Sequence, residues 1–560
     1  MRIHRSRGTR SRAAARFATI VLVTLVIVGL FAMPEAARAQ LFEPRTPFAT
    51  PSAAPEVAAP AIITSPASST APVASVGESI STDAQFRALW VDSYREGFKT
   101  PAQVDRLLAD ARRANVNALL VQVRRSGGSL FLKSTEPRVE DPSLAAGFDP
   151  LAYLIEQAHA ESPRLEVHAW MNSLPIWGDD ARRPADPRHV FNEHGPGAQG
   201  REDWLTRRED GATYSHGYFL DPGHPDAARY TLEVALNIVR EYDVDGVHLD
   251  YVRYPEKTDG FTWGYNQTSI DRFNARYSKQ GKPAATDLDW AQWRRDQVTQ
   301  LVRQIYLGTM ALKPAVKLSA AVIPWGDGPR TDADWKRMAA YGVVYQDWRA
   351  WLEEGIVDLV MPMNYFREDR APQPDWFDRW VAWQRDHAYG RQMVPGVAVY
   401  MNDPSESVSQ IRRAMAPGPS GSRVAGVALF SYAVARRGTG DESTPRDKAA
   451  EVWSALTEAG PVNGSRPPFV GRVATPEMAW KVSPQGGSVV LRAPGLDGAR
   501  IDLSGPAQLS GETDGSGLFG ALSVPPGRYG VTVRHRQLGE PRSLELEVTP
   551  GGIATFELAR

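Results

Sequence analysis

Residues 245–256 read Asp245-Gly246-Val247-His248-Leu249-Asp250-Tyr251-Val252-Arg253-Tyr254-Pro255-Glu256. Side chains along a strand alternate between its faces, so Val247 and Leu249 are predicted to point towards packed helices and His248 and Asp250 the other way. Polar groups on an inward face demand a reason, because an ionised carboxylate away from water is costly unless paired or hydrogen-bonded. Asp250 is therefore either a catalytic acid, base or nucleophile, or the structural partner of a cation such as Arg253 or Arg124.

Outward from this stretch the pattern repeats. Strand-like apolar runs at 86–93, 116–124, 165–172, 246–254, 317–325, 357–365, 393–400 and 426–432 alternate with amphipathic helical stretches. Eight strand–helix pairs in one block predict an α/β fold, a closed (β/α)8 TIM barrel, rather than a doubly wound sheet; no Gly-rich phosphate loop follows the first strand. The barrel is expected over residues 83–460. Beyond a Pro/Gly-rich joint at Gly460–Gly464, short alternating segments separated by Gly, Pro and Asp turns predict a small all-β sandwich over residues 471–560.

Ahead of the barrel, six arginines between Arg2 and Arg16, an apolar run from Phe17 to Met33 and Ala37-Arg38-Ala39 have the order of a secretory signal peptide over residues 1–39, cleaved before Gln40. Uncleaved, the segment would be just long enough to anchor the chain in a membrane. Residues 40–82 are dominated by Pro, Ala, Ser and Thr without periodicity and read as a disordered spacer. The expected location is outside the cytoplasm, periplasmic or secreted.

Sixty-four Lys and Arg balance 65 Asp and Glu, so no global field selects nucleic acid or an acidic surface. The absence of cysteine excludes disulfides, thiolate metal sites, a catalytic thiol and a lipidated cysteine. Sixteen Trp, many beside Asp, Asn, Gln or His, suit sugar binding, where a ring covers the C–H face of a pyranose and polar neighbours take its hydroxyls.

Barrel enzymes carry their reactive groups at the C-terminal ends of strands. Strand parity puts Trp90 and Asp92, Gln122 and Arg124, and His168, Trp170 and Asn172 on the inward face beside His248 and Asp250. Asn364-Tyr365, Tyr400 and Tyr432 end later strands and are expected to position substrate, as is Arg253. The long segment 173–220 is expected to form a substrate-binding wall. It closes at Leu220-Asp221-Pro222-Gly223, where Asp221 either caps the next helix or reaches the cleft.

Several of these stretches, namely FRALWVDSYREGFKTPAQVDRLLADARRANVNALLVQVR, HAWMN, LDPGHPDAARYTLEVALNIVREYDVDGVHLDYVRYP, YQDWRAWLEEGIVDLVMPMNYF and VPGVAVY, resemble the glycosyl-hydrolase-like family of bacterial envelope proteins that includes the divisome-localised glycosyl hydrolases. The likeness covers about Gln85 to Glu458. It implies a (β/α)8 barrel that cleaves peptidoglycan glycan strands lacking stem peptides, with Asp250 the catalytic candidate and Asp221, Asn364 and Tyr365 in its site. Many members carry a second acidic residue directly after that aspartate, where this chain has Tyr251. In the tail, residues 513–519 and 524–529 resemble carboxypeptidase-regulatory-like modules.

Glycoside hydrolysis normally uses two carboxyl groups. Asp250 is the first, and Glu256, Asp92 and Asp221, in that order, are candidates for the second. No cofactor or metal is implied, and the partner is a polysaccharide. Two other classes stay open: a non-catalytic glycan-binding barrel, and a metal-dependent deacetylase in which His168, His248 and Asp250 converge.

Overall fold

The computed structural model describes residues 84–558 apart from 163, 180, 435–446 and 465. The expected signal peptide and spacer lie outside the described residues.

Eight parallel strands close into a barrel. They are β1 (Phe86–Val91), β2 (Ala118–Arg125), β3 (Glu166–Asn172), β4 (Gly246–Asp250), β5 (Lys317–Val322), β6 (Leu359–Pro362), β7, and β8 (Gly426–Phe430), each paired with its chain neighbours and β8 paired back onto β1. Strand β7 consists of two ladder segments, Gln392–Met393 on β6 and Gly396–Ala398 on β8, because Pro395 between them has no N–H to donate. Closure runs through it: Val394 N donates to Val360 O at 3.0 Å, and Ala425 N to Met393 O at 2.8 Å.

The alternation read from the sequence separates two cores. Leu89, Val121, Ala169, Val247 and Leu249 join the apolar layer between strands and helices. Phe86, Trp90, Leu120, Trp170, Leu359, Met361 and Ala428 fill the interior. At the bottom of β4, a side chain on Gly246 would collide with the His168 ring, so the bare backbone is what lets that imidazole fit.

Helices α1 (Pro101–Arg113), α2 (Pro150–Ala160) and α3 (Pro225–Glu241) each begin with a proline whose preceding residue (Thr100, Asp149 or His224) caps the helix with its side chain. Between β4 and β5 the chain adds α4 (Gln267–Tyr277), which the sequence reading missed, before α5 (Leu288–Leu312). The excursion after β3 carries a two-stranded hairpin, Pro175–Trp177 with Tyr218–Phe219.

The stretch after the Pro/Gly-rich joint is a floor under the barrel rather than a free connection. Gln85 N donates to Ala474 O at 2.9 Å, Arg87 Nη1 to Gly471 O at 2.6 Å, and Trp480 Nε1 to Asp358 Oδ1 at 2.7 Å, while Phe469 and Met478 are buried. All three contacts fall at the N-terminal ends of barrel strands. Past this floor, a three-stranded and a four-stranded sheet form the all-β part, with Leu491, Ile501, Leu503, Val531 and Val533 in its core. It docks on α5 through Leu307 against Val490 and Leu518, and on α4 through an Arg272–Asp497 ion pair at 2.7 Å.

Candidate active site

Asp250 is the last residue of β4. It pairs in register with Asn172 of β3, two ladder steps above the Trp170–His248 pair. Tyr251 follows with φ 51°, which ends the strand there instead of at Tyr254 as its apolar pattern had suggested. The carboxylate is 6 % exposed; Oδ1 accepts from Tyr251 N at 2.7 Å and Oδ2 from Trp170 Nε1 at 3.1 Å. Burial pushes its pKa up to about 6, against the pull of Arg253 and these two donors. A carboxyl tuned this way is protonated over a useful fraction of the near-neutral range, as a general acid requires.

Beneath it lies a neutral polar layer. Trp90 Nε1 donates to His248 Nε2 at 3.1 Å, which leaves the imidazole proton on Nδ1, 2.8 Å from Ser319 Oγ. Burial pushes His248 down to about 3, so it carries no charge near neutrality. On the β2 side, Gln122 Oε1 accepts from Ser93 N and Oγ, and Gln122 Nε2 donates to Asn172 Oδ1 at 3.2 Å. That chain fixes the amide beside Asp250.

Aromatic rings form the mouth. Phe430 is their hub, with centroids 5.3 Å from Tyr365, 5.7 Å from Tyr400 and 6.3 Å from Trp170. The Arg253 guanidinium lies 4.7 Å from the Tyr251 ring centroid and 5.3 Å from that of Trp325. Asp92 stands at the end of β1, where Oδ1 accepts from Tyr94 N at 3.1 Å and Oδ2 from Ser431 Oγ at 3.3 Å.

Comparison with known families matches residues 85–406 to the family described as Glycosyl hydrolase-like 10. The chain belongs to that family. Glycosyl hydrolase YngK of Bacillus subtilis (strain 168) is 30% identical over 309 residues, 51% of this chain and 55% of that protein. Glycosyl hydrolase DigH of Escherichia coli (strain K12) is 26% identical over 302 residues, 50% of this chain and 62% of that protein. The matched region thus spans less than two thirds of either relative. Among solved structures, the PgaB (BpsB) glycoside hydrolase domain from Bordetella bronchiseptica aligns with 14% identity and a TM-score of 0.41, covering 62% of this chain and 94% of that domain.

In this Glycosyl hydrolase-like 10 chain, Trp90, Asp92, Gln122, Trp170, Asn172, Asp250, Arg253, Tyr365 and Tyr400 gather at or just below the mouth. His248 lies directly beneath them, bonded to Trp90, and the remaining sequence candidates sit elsewhere. A bulge in β2 between Gln122 and Arg124 brings Arg124 level with the outward Met171, where it pairs with buried Glu136 at 2.7 Å rather than with Asp250. His168 sits in register with Gly246, four residues and roughly 13 Å below Asp250 along the strand axis. There it bonds Glu166 at 3.0 Å; burial pushes Glu166 up, but His168 and Lys317 hold it at about 2. His168, His248 and Asp250 therefore do not converge as the deacetylase alternative requires.

Asn364 forms a reciprocal amide pair with Gln384, at 3.0 and 2.9 Å, away from the cleft. Tyr432 donates to Asp110 at 2.7 Å and stacks on Trp453 among the outer helices. Glu256 is exposed beyond Pro255, and among the described residues its carboxylate has no hydrogen-bond partner. Asp221 is sealed from solvent. It does not cap α3, which is His224's role; its Oδ1 instead accepts from Gly223 N at 2.8 Å, Ser269 Oγ at 3.0 Å and Tyr254 OH at 3.2 Å. Trp325 and Phe430, both part of the mouth, were not singled out from the sequence, although Trp325 ends one predicted strand and Phe430 lies two residues short of the end of another.

Proposed function

We propose that this protein is an exported glycoside hydrolase acting on an envelope polysaccharide, specifically peptidoglycan glycan strands free of stem peptides. The observation that carries the reading is Asp250: a buried carboxyl held near pKa 6 at the C-terminal end of a barrel strand, ringed by aromatic faces, in a member of a glycosyl hydrolase-like family. Asp250 protonates the glycosidic oxygen as the bond to the leaving sugar breaks. Trp170 holds its Oδ2, and Phe430, Tyr365 and Tyr400 supply apolar surface for the sugar faces.

For the second carboxylate, Asp92 replaces Glu256 as the first choice. Asp92 is oriented by Tyr94 N and Ser431 Oγ with Arg95 Nη1 3.8 Å away, whereas Glu256 is unrestrained in solvent and Asp221 is out of a glycan's reach. Asp92 then serves as the nucleophile or as the base for the attacking water.

The arginine-rich, apolar, Ala37-x-Ala39 leader supports export, and the peptide-free strand is supported by the resemblance of the DGVHLDYVRYP and MPMNY stretches. The test is to incubate purified protein with peptide-free strands and with intact, peptide-bearing sacculi and to count new reducing ends. Release from the first and not the second is the expected result. No release from either, with saturable binding to both, would make the barrel a glycan-binding module instead.

A further inference from the structure

Arg253 is 5 % exposed, yet among the described residues no carboxylate lies within 4 Å of its guanidinium and its buried Nε has no hydrogen-bond partner. Two more deeply buried arginines in the barrel have acceptors, although Nη2 of Arg294 is itself unpaired. Arg124 has Glu136, and Arg294, which also lies against rings, donates to Trp263 O and to Thr262 Oγ1 at 3.0 Å. Arg253 has only two rings, Tyr251 and Trp325.

Rings attract a guanidinium through its faces, and its five N–H groups radiate in its plane. With Tyr251 and Trp325 as its neighbours and no side-chain hydrogen bond among the described residues, the fork is left for a planar acceptor, and a carboxylate is the partner whose two oxygens match it. A buried cation without a counter-charge is costly to keep in a folded chain, so a site that holds one ready for a ligand anion gains selectivity from that cost.

Two residues separate Arg253 from Asp250, and its charge is felt at the Asp250 carboxyl although the two form no ion pair. The recognised anion is therefore carried by a sugar at or next to the bond that Asp250 addresses. We propose that Arg253, between Tyr251 and Trp325, binds a carboxylate carried by the substrate sugar, and that this carboxylate is the free lactyl group of a peptide-free muramoyl residue. The inference rests on the glycan-strand reading above and deepens it. Where a stem peptide is attached, the lactyl carboxyl is an amide, which is uncharged and bulky; where the peptide is gone, the charge is present. Arg253 thereby makes loss of the peptide a condition of tight binding.

The experiment measures binding by calorimetry to the full chain carrying Asp250→Asn, so that cleavage does not intervene. The probes are an alternating N-acetylglucosamine–N-acetylmuramic acid oligosaccharide, the same compound with its lactyl carboxylates reduced to alcohols, and an oligouronate of similar length. The muramoyl compound is expected to bind about tenfold or more tighter than its reduced form, and the added substitution Arg253→Gln to bring that ratio to about one. Arg253→Lys keeps a cation between the rings and should fold where Gln does not; having lost the fork, it too should lower the ratio. Equal affinity for the first two compounds overturns the proposal, as does a preference that survives both substitutions. Tighter binding of the oligouronate would overturn the muramoyl assignment. Absence of cleavage by the unsubstituted protein with the binding preference intact would count against the hydrolase reading alone.

Discussion

The indole N–H of Trp170 donates to Oδ2 of Asp250 at 3.1 Å, from a position two ladder steps below it on the neighbouring strand. The bond favours the ionised carboxylate while burial favours the protonated one, and burial is the larger effect. Replacing Trp170 with Phe removes the opposing influence. The pKa of Asp250 should then rise above about 6 by roughly one unit, moving the alkaline limb of the pH–rate profile upward by the same amount. A limb that stayed in place while only KM changed would make Trp170 a sugar platform and nothing more.

Asp250→Asn should lower turnover on peptide-free strands by about 10²–10⁴-fold, the range general acid catalysis supplies. Its effect on folding has a definite sign. At pH 8 the native carboxylate is ionised in a site that disfavours charge, so the amide should melt at the same temperature or higher. A clearly lower melting temperature would indicate that Asp250 is needed as a counter-charge, and Arg253 would be the group left without one.

The pH dependence of stability follows from the same groups. Burial raises Asp221 and Asp250 from the ordinary carboxylate value to about 6. Between the unfolded and folded values the native state holds more protons than the unfolded chain, so the unfolding free energy falls as pH rises. Their contribution is fully present below about pH 4 and lost as pH passes 6. Urea unfolding at pH 4.5, 6 and 7.5 should show a downward slope from these two groups, shallower in Asp250→Asn by up to about 3 kcal/mol across the window. An unchanged slope in that variant would mean that Asp250 does not titrate there.

Parity carried much of the sequence reading, and its failures have local causes. Val247 and Leu249 against His248 and Asp250 fell on the predicted sides because β4 is regular from Gly246 to Asp250. Alternation continues through Gln122, Val123 and Arg124 in the sequence, but a bulge adds a residue there and turns Arg124 to the outer side, which nothing in the local composition signals. Asn364 shares the parity of outward Val360; its place at a strand end and the motif likeness, not the alternation, had placed it in the cleft. Tyr432 has the inward parity of Phe430, but β8 has already ended and the chain leaves the barrel. The floor was hidden for another reason: it lies in a Pro/Gly-rich segment without periodicity and is held by backbone carbonyls such as those of Gly471 and Ala474 and by the isolated side chains of Trp480 and Lys481.

That floor gives the last prediction. Asp358, fully buried at the start of β6, accepts from Leu318 N at 2.8 Å and Tyr306 OH at 3.1 Å, and also from Trp480 Nε1 and Lys481 Nζ beyond the joint. A chain ending at Gly460 removes Trp480 and Lys481 from Asp358 and the Gly471 carbonyl from Arg87, which is itself only 2 % exposed. Arg391 stays 3.7 Å from Asp358, so the loss falls short of the about 3–5 kcal/mol typical of a buried charge left without any partner, but truncating the chain at Gly460 also removes Phe469 and Met478 and exposes the barrel surfaces they cover. A chain ending at Ser483 keeps all of this and gives up only the all-β part, which docks through the small Leu307 cluster and a few ion pairs. Thermal melts should therefore rank full length and Ser483-ended chains close together, with the Gly460-ended chain well below both or unfolded. If the two shortened chains melted alike, residues 461–483 would contribute little to the barrel, and the contacts at Asp358 and Arg87 would be incidental.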